Sequence, residues 1–97
     1  MQLDKEMKRS EKYYSVGYCA KLDKYVLASV VTWIAWYNRY YEISEAEYNS
    51  FSTGGLDELA EQLHKEGCSA ERFLFSDKTE ENTSEQVALR DAVYSKS

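Results

Sequence analysis

Proline is absent from this chain of 97 residues, and histidine occurs once. Without proline there is no Pro-rich recognition tail and no proline-stiffened linker. A single histidine, His64, excludes a metal cluster built on imidazoles. Cysteine occurs twice, as Cys19 and Cys68. In a reducing compartment these are expected as separate thiols, a Cys19–Cys68 disulfide being the less favoured alternative. No apolar run reaches the roughly 20 residues of a membrane-spanning helix, and the apolar part of 25–37 is too short and too aromatic. Met1 to Glu6 lacks the apolar h-region of a secretory signal. These absences predict a cytoplasmic protein that does not use a membrane.

What is present is aromatic and unevenly charged. Nine tyrosines supply most of an aromatic share of 14%. Tyrosine serves cores and binding faces alike, with a flat apolar body and a polar tip. The net charge is −5. Residues 1–43 carry seven Lys/Arg and five Asp/Glu, whereas residues 44–97 carry five and twelve. An acidic half repels nucleic acid and attracts cationic partners. It also serves plain solubility.

The length fits one domain, 1–97, with residues 1–11 as a loose lead-in or a short helix. Tyr13 to Cys19 alternates with strand periodicity, Tyr14, Val16 and Tyr18 on one side and Ser15, Gly17 and Cys19 on the other. Lys21 to Lys24 is a polar break of hairpin length. From Tyr25 the chain is rich in β-branched and aromatic residues, which predicts strands over 25–34 and 37–43. Asn38 can turn the chain, or one long strand can bend through it. A buried helix over 25–37 is the alternative, because apolar residues occur there at every phase.

Ser44-Glu45-Ala46-Glu47 is a capping box, opening a helix over 45–51 with Ile43 placed to staple onto Tyr48. Leu56, Leu59, Ala60 and Leu63 form one stripe of a helix over 56–66, stopped by Gly67. Residues 72–75 read as a strand. Thr83-Ser84-Glu85-Gln86 is a second capping box, opening a helix over 84–94. The order β-β-β-α-α-β-α predicts an α+β domain: a three- to four-stranded, mainly antiparallel sheet with two or three helices on one face. Leu56, Leu59, Leu63, Phe73, Phe75, Val87 and Leu89 are expected in the core.

No constellation points to a reaction or to a cofactor. His64 and Cys68 are four apart, but Gly67 ends the helix between them, and no oxyanion hole or orienting group accompanies them. Glu45/Glu47, Asp57/Glu58 and Glu80/Glu81 look like first-turn or loop charges favoured by helix dipoles, not a catalytic pair across a cleft. Gly54-Gly55 runs into Asp57 and Glu58, which would repel a phosphate. Trp36, Tyr37, Arg39, Tyr40 and Tyr41 could stack bases, but too few basic residues accompany them for nucleic-acid binding. Tyr, Trp and Arg are also the types that dominate protein-binding hot spots.

With Trp33 to Ser44 running into Glu45-Ala46-Glu47-Tyr48, and with Glu71-Arg72-Phe73-Leu74-Phe75-Ser76-Asp77, the chain resembles small bacterial immunity proteins of the contact-dependent growth inhibition type. That resemblance implies a non-catalytic, cytosolic antidote that binds and blocks one cognate toxin domain, often a basic nuclease. It carries over no functional residue by position. The candidate partner-binding residues come from the chain itself. They are Trp36, Tyr37, Arg39 and Tyr40 from the aromatic strand, and Asp57, Glu58, Glu61, Asp77, Glu80 and Glu81 from the acidic half. If the two sets fall on different faces, only one is the contact. A cytosolic adaptor or structural subunit using the same surface is the competing reading.

Overall fold

The computed structural model describes residues 3–95. Five strands form one antiparallel sheet whose spatial order is the order of the chain. They are β1 (Asp4–Arg9), β2 (Tyr14–Cys19), β3 (Lys24–Val31), β4 (Tyr37–Ile43) and β5 (Phe73–Ser76). Helices α1 (Glu45–Asn49) and α2 (Asp57–Glu66) fall between β4 and β5, and α3 (Ser84–Tyr94) follows β5. The class is α+β, with one strand more than expected.

The extra strand is β1, which corrects the lead-in expected over 1–11; Met1 and Gln2 of that range lie outside the described residues. Its side chains are mostly charged and exposed, so it has no apolar alternation to betray it. An edge strand is held by backbone pairing and tolerates lysine. Here Met7, Lys8 and Arg9 pair with Val16, Ser15 and Tyr14. A bulge precedes them, between Asp4 and Met7, where Lys5 takes φ 51°. Leu3 is buried beside Gly17. A Cβ on Gly17 would lie 2.5 Å from the Leu3 Cβ and 3.1 Å from the Asp4 carbonyl, so only glycine lets β1 approach this closely.

The helices do not share one face. Tyr14, Val16, Leu27, Tyr41 and Ile43 pack with Phe51, Leu56, Ala60 and Leu63 of the α1–α2 segment. Val26, Ala28, Tyr40 and Phe75 pack with Leu89 and Val93 of α3. Adjacent residues such as Val26 and Leu27 therefore enter different cores, and the sheet is covered on both sides. This corrects the one-face arrangement. A strand buried on both faces needs apolar residues at every phase, which is the pattern of 25–31. Each such large side chain contributes about 1.5–3 kcal/mol by leaving water.

β5 is adapted to this double cover. Tyr40 pairs with Phe75 and Tyr41 with Phe73, so Leu74 is one residue too many. The bulge turns Phe73 and Phe75 toward opposite cores although they are two apart. The outer edge of β5 is capped at Ser76 by a side chain. The Ser76 amide donates to Asn82 Oδ1 at 2.7 Å, and Asn82 Nδ2 donates to the Ser76 carbonyl at 2.9 Å.

Both capping boxes form, with Ser44 and Glu47 exchanging bonds at α1 and Thr83 and Gln86 at α3. Gly67 ends α2 at φ 59°, ψ −135°, a conformation that other residues adopt only under strain. α1 is shorter than expected and passes into a 3₁₀ turn at Phe51–Thr53. Leu56, Leu63, Phe73 and Phe75 are buried as expected, while Leu59, Val87 and Leu89 are half-buried. The chain reverses between β3 and β4 at 32–36, and Asn38 is an ordinary β4 residue opposite Val30. Among the described residues no helix is long and apolar enough to cross a membrane.

Candidate protein-binding surface

The reversal at 32–36 lifts Trp33, Ile34 and Trp36 out of both cores. They are 58%, 92% and 66% exposed. Such side chains in water are costly unless something covers them. Two contacts hold them in place. Trp36 meets the Tyr13 ring edge-to-face, with centroids 6.0 Å apart. Lys78 Nζ stands 3.6 Å from the centroid of Trp33, a cation–π contact. Tyr13 is half-exposed and left-handed at φ 58°. That turn ends the 3₁₀ segment Ser10–Lys12 and starts β2.

Below the tip the chain is locked by an ion pair. Arg39 Nε donates to Glu81 Oε1 at 2.9 Å, and Arg39 Nη2 donates to the other oxygen. Tyr37 and Ser76 hydroxyls also donate to Glu81, each at 2.8 Å. The Arg39 hydrogen bonds, aided by these hydroxyls, depress the Glu81 carboxyl from 4.5 to about 2. The same pair raises Arg39 further. Burial, then the bond to Glu81, raises the Tyr37 phenol.

Tyr40 faces the α3 side and is 1% exposed. Its hydroxyl donates to Asp77 Oδ2 at 3.1 Å, and Tyr94 donates to Asp77 Oδ1 at 2.6 Å. Burial pushes the Tyr40 phenol up to about 12. Of the aromatic-strand candidates, then, Trp36 is open to solvent, Tyr37 and Arg39 are half-buried in the ion-pair network, and Tyr40 is interior. Tyr40 has almost no surface to offer a partner. Asp77 and Glu81 serve internal bonds, while Glu80 is exposed on the 3₁₀ turn Thr79–Glu81.

On the other side of the tip lies a cleft of about 710 Å³ between α2 and the β2–β3 end of the sheet. Tyr13 and Thr32 border it from the tip, and Asp57, Glu58 and Glu61 border it from α2. Trp36, Tyr37 and Tyr40 instead line a second cleft with Asp77, on the α3 face of the sheet. The aromatic strand set and the α2 carboxylates thus lie on different faces, with Tyr13 bordering both clefts. Asp57 is engaged in the first cleft: Arg9 Nε is 3.0 Å from it and the Tyr14 hydroxyl donates to it at 2.6 Å. Glu58 and Glu61 are exposed.

Sequence reasoning missed Trp33, Ile34, Tyr13 and Lys78. The first two were expected inside a strand over 25–34. Strand length held the missed signal: with the run divided into strands over 25–34 and 37–43, the first exceeds the ordinary length of about 5–6 residues, and β3 ends at Val31.

The chemistry-bearing groups stay apart. Cys19 is buried and Cys68 exposed, and both are free. Desolvation of the Cys68 thiol raises its pKa, the opposite of nucleophile activation. His64 Nδ1 lies 3.3 Å from the Ser29 hydroxyl. Among the described residues no group of three or more His, Cys, Asp or Glu converges in a way that could hold a metal ion. Comparison with known proteins finds no matching family model, curated relative or solved structure.

Proposed function

We propose that this protein is a non-catalytic immunity protein, a cytoplasmic antidote that binds a cognate toxin domain, a basic nuclease, and blocks it. One observation carries the reading: Trp33, Ile34 and Trp36 stand together at a hairpin tip, outside both cores. Tryptophan in that position supplies a large contact area at low cost in conformational freedom. The acidic helix beside the tip suits a basic partner, whose approach its charge would speed. The test is growth of cells that express a toxin encoded beside this gene, which the reading requires. Intact protein should rescue growth, and a W33A/W36A double variant that folds normally should not. A protein that neither binds that toxin nor rescues growth is not its antidote, and stable co-purification with another cytosolic protein would make it an adaptor subunit.

A further inference from the structure

We infer that the cleft between α2 and the β2–β3 end receives a lysine- or arginine-bearing segment of the protein partner. This rests on the antidote reading and names the chemistry of the contact. Four carboxylates and two lysines line the cleft. Asp57 is already engaged by Arg9 and Tyr14. Glu61 has only an exposed pair with Lys65, at 3.3 Å, which holds it weakly. The Glu58 carboxylate makes no hydrogen bond or ion pair among the described residues. The cleft therefore presents the unpaired Glu58 and the weakly held Glu61 beside the half-exposed ring of Tyr13, while the Tyr14 ring is buried in the core.

That combination suits one chemistry. A guanidinium or ammonium group gains charge-assisted hydrogen bonds from carboxylates and attraction to an aromatic face. Its aliphatic stem packs on apolar surface. An acidic segment or an anionic lipid headgroup meets repulsion from Glu58 and Glu61, partly offset by Lys12 and Lys65 on the same rim. Tyr13 belongs both to the cleft wall and to the packing under Trp36. A segment in the cleft and a surface on the tip would form one continuous footprint.

The test uses the whole protein and an amidated arginine-rich helical peptide, with a glutamate-substituted twin as control. Backbone NMR shifts are followed during titration at low and moderate salt. The expected result is binding of the basic peptide alone, with shifts centred on Tyr13, Ser29, Thr32, Glu58 and Glu61. The E58K/E61K variant should weaken it at least about ten-fold, and E58Q/E61Q by an intermediate factor. Reversal of two exposed carboxylates outside the cleft, E71K/E85K, makes the same change in net charge and should weaken binding less than about two-fold. Equal weakening by both reversals, or shifts spread over every acidic surface, overturns the inference. So does insertion of the tip into phosphatidylglycerol–phosphatidylethanolamine vesicles with no binding of the basic peptide. The measurement needs no toxin, so it can fail while growth rescue succeeds, and the converse also holds.

Discussion

Tyr40 and Tyr41 are neighbours in β4, and their side chains lie in different cores. Their hydroxyls differ as well. That of Tyr40 is bonded to Asp77, whereas that of Tyr41 is buried without a hydrogen bond of normal geometry. Removing a satisfied buried hydroxyl costs about 1 kcal/mol, while removing an unsatisfied one is neutral or favourable. Tyr40→Phe should therefore destabilise the protein by about 1 kcal/mol, and Tyr41→Phe should leave stability unchanged or raise it. Urea denaturation of the two single variants decides this. Equal losses would mean that the two hydroxyls are equivalent.

The Arg39–Glu81 pair predicts an acid-sensitive step. Glu81 has its folded pKa depressed to about 2 from 4.5. Such a group contributes fully above its unfolded pKa and loses its contribution as pH falls through the folded one. The window is thus from 4.5 down to about 2. Glu81→Gln should cost roughly 2 kcal/mol at neutral pH, since it leaves a half-buried guanidinium without its counter-charge. The gap between wild type and variant should narrow across the window. A gap that stays constant with pH would show that the carboxylate's charge is not what matters.

Both tryptophans of the chain sit in the hairpin tip. Intrinsic fluorescence is therefore a direct report on that surface. In the free protein emission should be red-shifted and readily quenched by acrylamide. Partner binding should shift it to the blue and protect it. Trp33→Ala and Trp36→Ala should each change folding stability by no more than about 1 kcal/mol, the scale of an exposed aromatic contact. At least one should cost 2 kcal/mol or more of binding, roughly the threshold for a hot spot. Blue, unquenchable emission from the free protein would mean that the tip folds onto something else.

The thiols give a fourth check. Native protein should react with a thiol reagent at Cys68 alone, and more slowly than a free thiol because desolvation raises its pKa. Unfolding without reductant should expose both. Recovery of neither would reveal a disulfide.

Local signals in the sequence were read correctly where the chemistry is local. Ser44 with Glu47, and Thr83 with Gln86, sit at fixed spacing and satisfy helix-end amides without help from the rest of the chain. Gly67 ends α2 for an equally local reason. What escaped depended on neighbours. β1 is charged because its hold on the sheet is backbone pairing to β2. The two-sided cover of β3 was visible in the apolar phases of 25–31, but a buried helix produces the same pattern. The turn at 32–36 contains no Gly, Pro, Asn or Asp to announce it. The solvent exposure of Glu58 and Glu61 was legible because α2 is plainly amphipathic. The burial of Tyr40 was not, because which face of a strand is covered depends on a helix from elsewhere in the chain.

The carboxamide of Asn82 occupies both polar groups of Ser76 on the outer edge of β5. A foreign strand is turned away at that residue, which favours recognition through side chains over strand addition to β5. Three of the most prominent of those, Trp33, Ile34 and Trp36, belong to neither core. If the tip makes the contact proposed above, partner choice and foldability are written largely in separate residues. A lineage could exchange one partner for another by rewriting the tip, keeping the sheet beneath it intact.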